Sequence, residues 1–131
     1  MMTLEEVIRI IEGRLMTRTS PEALGKRVKG GCGADLMSDV LAYIRPEALL
    51  LTGLCNLQVV RTAQMADVTA IVFVRGKKPP QEMIDLAGEE GIPLISSPYG
   101  MFELCGRLYR AGLPSLEVPV QRGPFPQDRP G

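Results

Sequence analysis

Few side chains in this sequence can move protons. It contains no histidine, so the commonest general base and zinc ligand is missing, and carboxylates, Lys, Tyr and Cys remain. Cys32, Cys55 and Cys105 are odd in number and never form a Cys-x-x-Cys pair, which fits reduced thiols better than a disulfide framework. Cys32 and Cys55 fall near expected helix starts, where a thiol pKa can drop; small buried thiols are the commoner case. Asp35 and Asp39 lie four apart, and a helix cap plus a solvated carboxylate explain both. No catalytic set, metal cluster or cofactor is expected from these residues.

Anion binding is the chemistry the spacing does favour. Four glycine-, serine- or lysine-bearing segments, at 30–35, 52–56, 75–78 and 96–99, each follow an expected strand and precede an expected helix. In open parallel sheets ligands gather beyond the carboxyl ends of the strands, where helix N-termini present amides and a favourable dipole. Arg75, Lys77 and Lys78 add positive charge to that rim. The candidate ligand-binding residues are Gly33, Asp35, Thr52, Gly53, Asn56, Arg75, Lys77, Ser96 and Ser97. Gly31-x-Gly33 opens like a dinucleotide fingerprint, but Leu36 stands where its third glycine belongs. Gly76-Lys77 is followed by Lys78 instead of Ser or Thr, so it is no P-loop. These glycines read as chain turns.

The elements that must position these loops alternate. Thr3-Leu4-Glu5-Glu6 is a capping box for a helix running to about Glu12, with Gly13 as its left-handed stop. Arg14 to Thr17 predicts an edge strand, Ser20-Pro21 a turn ending near Gly25, and Lys26 to Lys29 a short strand broken by Gly30-Gly31-Cys32-Gly33. Asp35 is placed to cap a helix carrying Leu36, Met37, Val40, Leu41 and Ile44. Ala48 to Thr52 is an unbroken run, the mark of a strand buried on both faces. Asn56 caps a helix with Leu57, Val60 and Ala63 inward, and Val68 to Val74 is a second continuous strand.

Pro79-Pro80 precede a helix with Met83, Ile84 and Ala87 inward that Gly91 stops; a short strand over Ile92 to Ile95 follows. Ser97-Pro98 open a helix in which Met101, Phe102, Cys105, Leu108 and Tyr109 share one face. Strand alternating with helix predicts an α/β fold, a mostly parallel sheet of about four to five strands with helices on both faces. Residues 1–113 are read as one domain, and 114–131, with five of the 11 prolines, as a mobile tail or an added edge strand.

Composition narrows the partners. The 15 basic and 15 acidic residues cancel and aromatics make up 5%, so neither phosphate-seeking charge nor stacking platforms for nucleic acid are in place. No apolar window is long enough to cross a bilayer and no leader pattern opens the chain, which predicts a cytoplasmic protein with no membrane partner.

Three stretches resemble the DRTGG domain. They are Arg27 to Ala42, with its Gly-x-x-Ala-Asp-Leu-Met-Ser-Asp-Val-Leu block from Gly31 to Leu41, then Ala48 to Gly53, and Glu89 to Ser97. The likeness covers about residues 24–112, and the first helix suits stand-alone members. It implies a compact α/β regulatory module, similar in fold to the HPr kinase N-terminal domain and to modules of phosphotransacetylases and CBS-domain pyrophosphatases. It further implies homodimerisation and, for stand-alone relatives, work beside redox enzymes or sensor kinases. The family has no established catalytic residues, so none is carried over. Where relatives often have Thr-Gly-Gly after the second long strand, this chain has Val74-Arg75-Gly76-Lys77.

Three functions stand in order. The first is a non-catalytic, dimerising regulatory module that senses an anionic metabolite, an adenine nucleotide foremost. The second is a docking or assembly factor for a redox enzyme or sensor kinase with no small-molecule ligand. An enzyme using Cys32 or Cys55 comes last.

Overall fold

The computed structural model describes residues 2–120 of the chain. Strands β1 (Met2–Thr3), β2 (Arg14–Leu15), β3 (Arg27–Val28), β4 (Gly30–Gly33), β5 (Ala48–Thr52), β6 (Ala70–Phe73) and β7 (Leu94–Ser96) alternate with helices. The helices are α1 (Leu4–Ile10), α2 (Pro21–Leu24), α3 (Met37–Tyr43), α4 (Leu57–Met65), α5 (Gln81–Glu90) and α6 (Met101–Arg110). The main sheet has the order β2-β7-β6-β5-β4, in which β4 to β7 are parallel and β2 joins antiparallel at one edge. A separate antiparallel pair joins β1 to β3.

The winding follows from handedness. β4 to β7 are laid down side by side in chain order, so right-handed crossovers deliver every connecting helix to the same face. Met37 and Val40 of α3, Val59, Val60 and Ala63 of α4, and Met83 and Ala87 of α5 accordingly share one core with Leu50, Ile71, Phe73 and Leu94. Neighbouring strand residues point the other way. Leu49, Leu51, Ala70, Val72 and Ile95 form the second core with Leu4, Val7 and Ile11 of the α1 segment and Leu104 and Leu108 of α6. β5 is buried throughout, as its unbroken apolar run predicts.

Local chemistry fixes most boundaries. Thr3 and Glu6 form the capping box reciprocally at the start of α1, Asn56 accepts from the Val59 amide to cap α4, and Gly91 closes α5 at φ 70°. Four details differ from the sequence reading. α1 ends at Ile10, and Glu12, not Gly13, takes the left-handed conformation at φ 51°. The 20–25 turn contains the short helix α2, capped by Ser20. Asp35 does not cap α3, whose N-cap is Leu36 without a side-chain hydrogen bond.

The fourth is the glycine run, which is strand β4 and not a break. A Cβ on Gly30 would lie 2.6 Å from the Pro114 carbonyl oxygen and 2.7 Å from Leu116 Cβ. Glycine is there because another stretch of backbone passes close by. That stretch is a strap: the Gly31 amide donates to Pro114 O at 2.8 Å, Leu116 N donates to Gly31 O at 2.9 Å, Arg45 N to Leu116 O at 3.2 Å and Val118 N to Tyr43 O at 2.7 Å. The composition-defined tail thus includes residues that lie along β4 and the end of α3. Residues 121–131, the remainder of that tail, lie outside the described residues.

Candidate functional site

Because β4 to β7 run the same way, the segments leaving Gly33, Thr52, Phe73 and Ser96 all emerge on one rim. Four hydrogen bonds knit them. Asp35 Oδ1, on the segment after β4, accepts from the Thr52 hydroxyl at 2.9 Å and from the Gly53 amide at 2.8 Å after β5. Lys77 Nζ, after β6, donates to Gly53 O at 2.7 Å. The Ser96 hydroxyl, at the end of β7, donates to Lys77 O at 2.8 Å. The Gly53 amide bond, the Thr52 hydroxyl and the Lys77 ammonium hold the Asp35 carboxyl below the usual range, against partial burial. An internal carboxylate therefore occupies the amide a helix-start anion would be expected to use at β5.

Other candidates are placed differently. Ser97 is fully buried, its hydroxyl donating to Ile11 O at 2.8 Å, so it ties the end of α1 to the sheet. Asn56 faces its own helix start. Gly33 lies against Met101 and Cys105 of α6, a Cβ there falling 3.4 Å from the Met101 sulfur. The rim proper is thus Asp35, Thr52, Gly53, Lys77, Ser96 and Arg75.

Arg75 is the distinctive member. It holds a left-handed backbone at φ 60°, a conformation that costs a side-chain-bearing residue about 1–2 kcal/mol. It persists because two backbone hydrogen bonds clamp this turn to the β7–α6 loop: Arg75 N to Tyr99 O at 2.8 Å and Gly76 N to Ser97 O at 2.7 Å. The clamp sets the guanidinium over the start of α6, with Nε 3.6 Å from where a Gly100 Cβ would stand. Gly100 is the N-cap of α6 and supplies no side-chain hydrogen bond, which leaves the first amides and the dipole of a ten-residue helix beside a cation. This arrangement suits an anionic group. Sequence reasoning picked out Arg75 by charge but missed Tyr99 and Gly100. Tyr99 is fixed by a hydroxyl bond to Glu12 and by the Arg107 guanidinium 4.0 Å from its ring centre.

The thiols are not arranged for nucleophilic attack. Cys32 is buried on β4, and burial, then the Glu117 carboxylate of the strap, pushes its pKa up to about 12. Burial also raises Cys55 and Cys105. Cys32, Cys105, Tyr109 and Glu117 line a cavity of about 190 Å³ between α6, β4 and the strap. Among the described residues no group of three or more acidic or cysteine side chains could hold a metal ion. No described helix is long and apolar enough to cross a membrane.

A family model described as the DRTGG domain matches residues 6–111. The chain matches none of the curated proteins. Among solved structures it is similar to the CBS and DRTGG domains of the regulatory region of Clostridium perfringens pyrophosphatase, complexed with an activator, diadenosine tetraphosphate. That similarity has a TM-score of 0.66 at 19% identity and covers 86% of this chain and 47% of that one, so it is a likeness of fold and spans about half the neighbour's length.

Proposed function

The chain belongs to the DRTGG domain family, and from that premise we propose that it is a non-catalytic, cytoplasmic regulatory module that works as a homodimer and senses an anionic metabolite of the adenine-nucleotide class. The observation that carries the reading is Arg75, held in a strained turn against the uncapped start of α6. Backbone strain of this kind tends to be retained where it positions a functional group. The structurally similar pyrophosphatase region was crystallised with a polyphosphate activator, which supports the ligand class.

At β5 the amide is already taken by Asp35, so a phosphate is expected to contact Arg75, Lys78 and the α6 amides. The remaining atoms of a nucleotide would extend over Gly53 and Lys77.

A panel of inorganic phosphate, AMP, ADP, ATP and diadenosine polyphosphates, followed by thermal unfolding, tests this. A ligand at about 100 times its Kd stabilises by about 2.7 kcal/mol, a shift of several degrees at this size. Arg75→Gly sharpens the result, because it removes the guanidinium and relieves the left-handed strain together. Its own melting temperature should rise slightly while the ligand-induced shift disappears. A panel that moves nothing sinks the sensor reading, and a shift that survives Arg75→Gly moves the ligand elsewhere.

A further inference from the structure

The face of α6 turned away from the core carries two aromatic side chains that the core does not use. Inward, α6 buries Leu104 and Leu108. Outward, Phe102 is 93% and Tyr109 74% exposed, one on either side of the exposed Gly106, whereas Cys105 is half-buried against the core and Gly33. Phe102, Gly106 and Tyr109 recur at intervals of four and three, which is a single helical stripe about 10 Å long. From this stripe we infer that α6 is the homodimer surface, packing antiparallel on α6 of a second copy about a twofold axis beside Gly106. This names the surface for the dimer proposed above and rests on that part of the reading.

Three observations choose a second copy over another occupant. Reversing the helix about that axis exchanges Phe102 with Tyr109, so each aromatic ring meets an aromatic ring, as a self-complementary twofold interface requires. The flanking charges match in the same sense. Glu103 and Arg110 lie on one flank of α6, and in an antiparallel pair like flanks meet, so Glu103 of each copy faces Arg110 of the other. Among the described residues Glu103 pairs only within its own helix, with Arg107 at 2.8 Å, and no ion pair involves Arg110.

Gly106 is the third. A Cβ there would meet nothing within 4 Å, so the monomer gives no reason for a mid-helix glycine, which lowers helix propensity relative to alanine. Close approach of a second helix does give one. Gly88 of α5 is equally open, but its neighbours Asp85, Glu89 and Glu90 are charged and offer no apolar stripe.

Sedimentation equilibrium of the full chain over a concentration series tests this, beside circular dichroism of each variant. The wild type should be a dimer. Gly106→Leu, which has open space within its own chain, should keep full helicity and melting cooperativity yet weaken association by at least about tenfold. Glu103→Arg and Arg110→Glu should each weaken it, and the double swap, which restores opposite charges across the axis, should recover it. A dimer indifferent to Gly106→Leu and to the charge swaps overturns the surface while leaving dimerisation standing. A wild type that stays monomeric overturns the surface and the proposed dimer together. Neither result bears on the Arg75 ligand test, which reads a ligand-induced thermal shift.

Discussion

Replacing Gly30 with alanine should unlatch the strap from β4. The new Cβ would sit 2.6 Å from the Pro114 carbonyl oxygen and 2.7 Å from Leu116 Cβ, distances that only a backbone shift can relieve. The shift works against three hydrogen bonds: Gly31 N to Pro114 O, Leu116 N to Gly31 O and Arg45 N to Leu116 O. Each contributes about 1 kcal/mol net, and partial replacement by water brings the expected loss to about 2 kcal/mol, within the usual range for overpacking. Leu113, buried at 5% exposure, should loosen with the strap. Gly31→Ala is the control, since its Cβ would meet the flexible end of Leu113 at 3.4 Å and the Leu49 carbonyl oxygen only at an ordinary 3.9 Å, and it should cost well under half as much. Urea unfolding gives the two free energies, and hydrogen exchange at the amides of Gly31, Arg45, Leu116 and Val118 locates the change. Equal costs for the two variants, or unchanged exchange at those amides in Gly30→Ala, would refute the account of β4 as a strand shaped by a crossing strap.

The other predictions concern the rim, the helices and the thiols. Asp35→Ala leaves the Gly53 amide and Thr52 hydroxyl without their acceptor, and for so exposed a carboxylate the loss should be about 1 kcal/mol near neutrality. Because the Asp35 pKa is lowered by folding, its contribution is complete above the ordinary carboxylate range and fades as pH falls through the lowered value. The variant's stability should therefore converge on the wild type's in acid titrations; a gap that stays constant with pH argues against a charged role. Leu104→Ala should destabilise by about 2–5 kcal/mol, whereas Phe102→Ala should stay within about 0.5 kcal/mol when measured on dilute monomer; the reverse order would mean that α6 is turned the other way. At pH 8 Cys32 should react with a disulfide reagent far more slowly than a free thiol, because burial and Glu117 hold it protonated, and Glu117→Gln combined with Gly30→Ala should speed it; fast labelling of the wild-type residue would contradict the burial.

How much of this was readable beforehand varied with how local the signal is. Caps, stops and continuous apolar runs are local, so α1, α4, α5, β5 and β6 were legible within a residue or three, and their alternation was enough for the parallel sheet. β4 was not, because a Gly-Gly-Cys-Gly strand has no propensity signal; what demands glycine there is Pro114, far away in sequence. Asp35 looked like a cap because it precedes a helix, but its partners, Thr52 and Gly53, are set by the β4–β5 register. The face of α6 was misjudged for a different reason. The helix has two adjacent apolar stripes, and periodicity alone groups Phe102 and Tyr109 with Leu108, whereas packing selects Leu104 and leaves both aromatics outside. Loop position groups Asp35, Thr52, Gly53, Arg75, Lys77 and Ser96 on the strand-end rim, but it had no means of telling that Ser97 points into the core.

The two sides of the sheet are assembled from different parts of the chain. Helices α3 to α5 cover one side as consecutive crossovers, all drawn from the middle of the sequence. The opposite side is roofed mainly by α1 and α6, with Val28 and Leu113 beside them, so the first and last described helices meet over Leu49, Leu51 and Val72. Losing either helix would uncover the same aliphatic surface, and the central strands would then behave as a half-finished, sticky intermediate. α1 and α6 act as a clasp, and any truncation has to keep both halves of it.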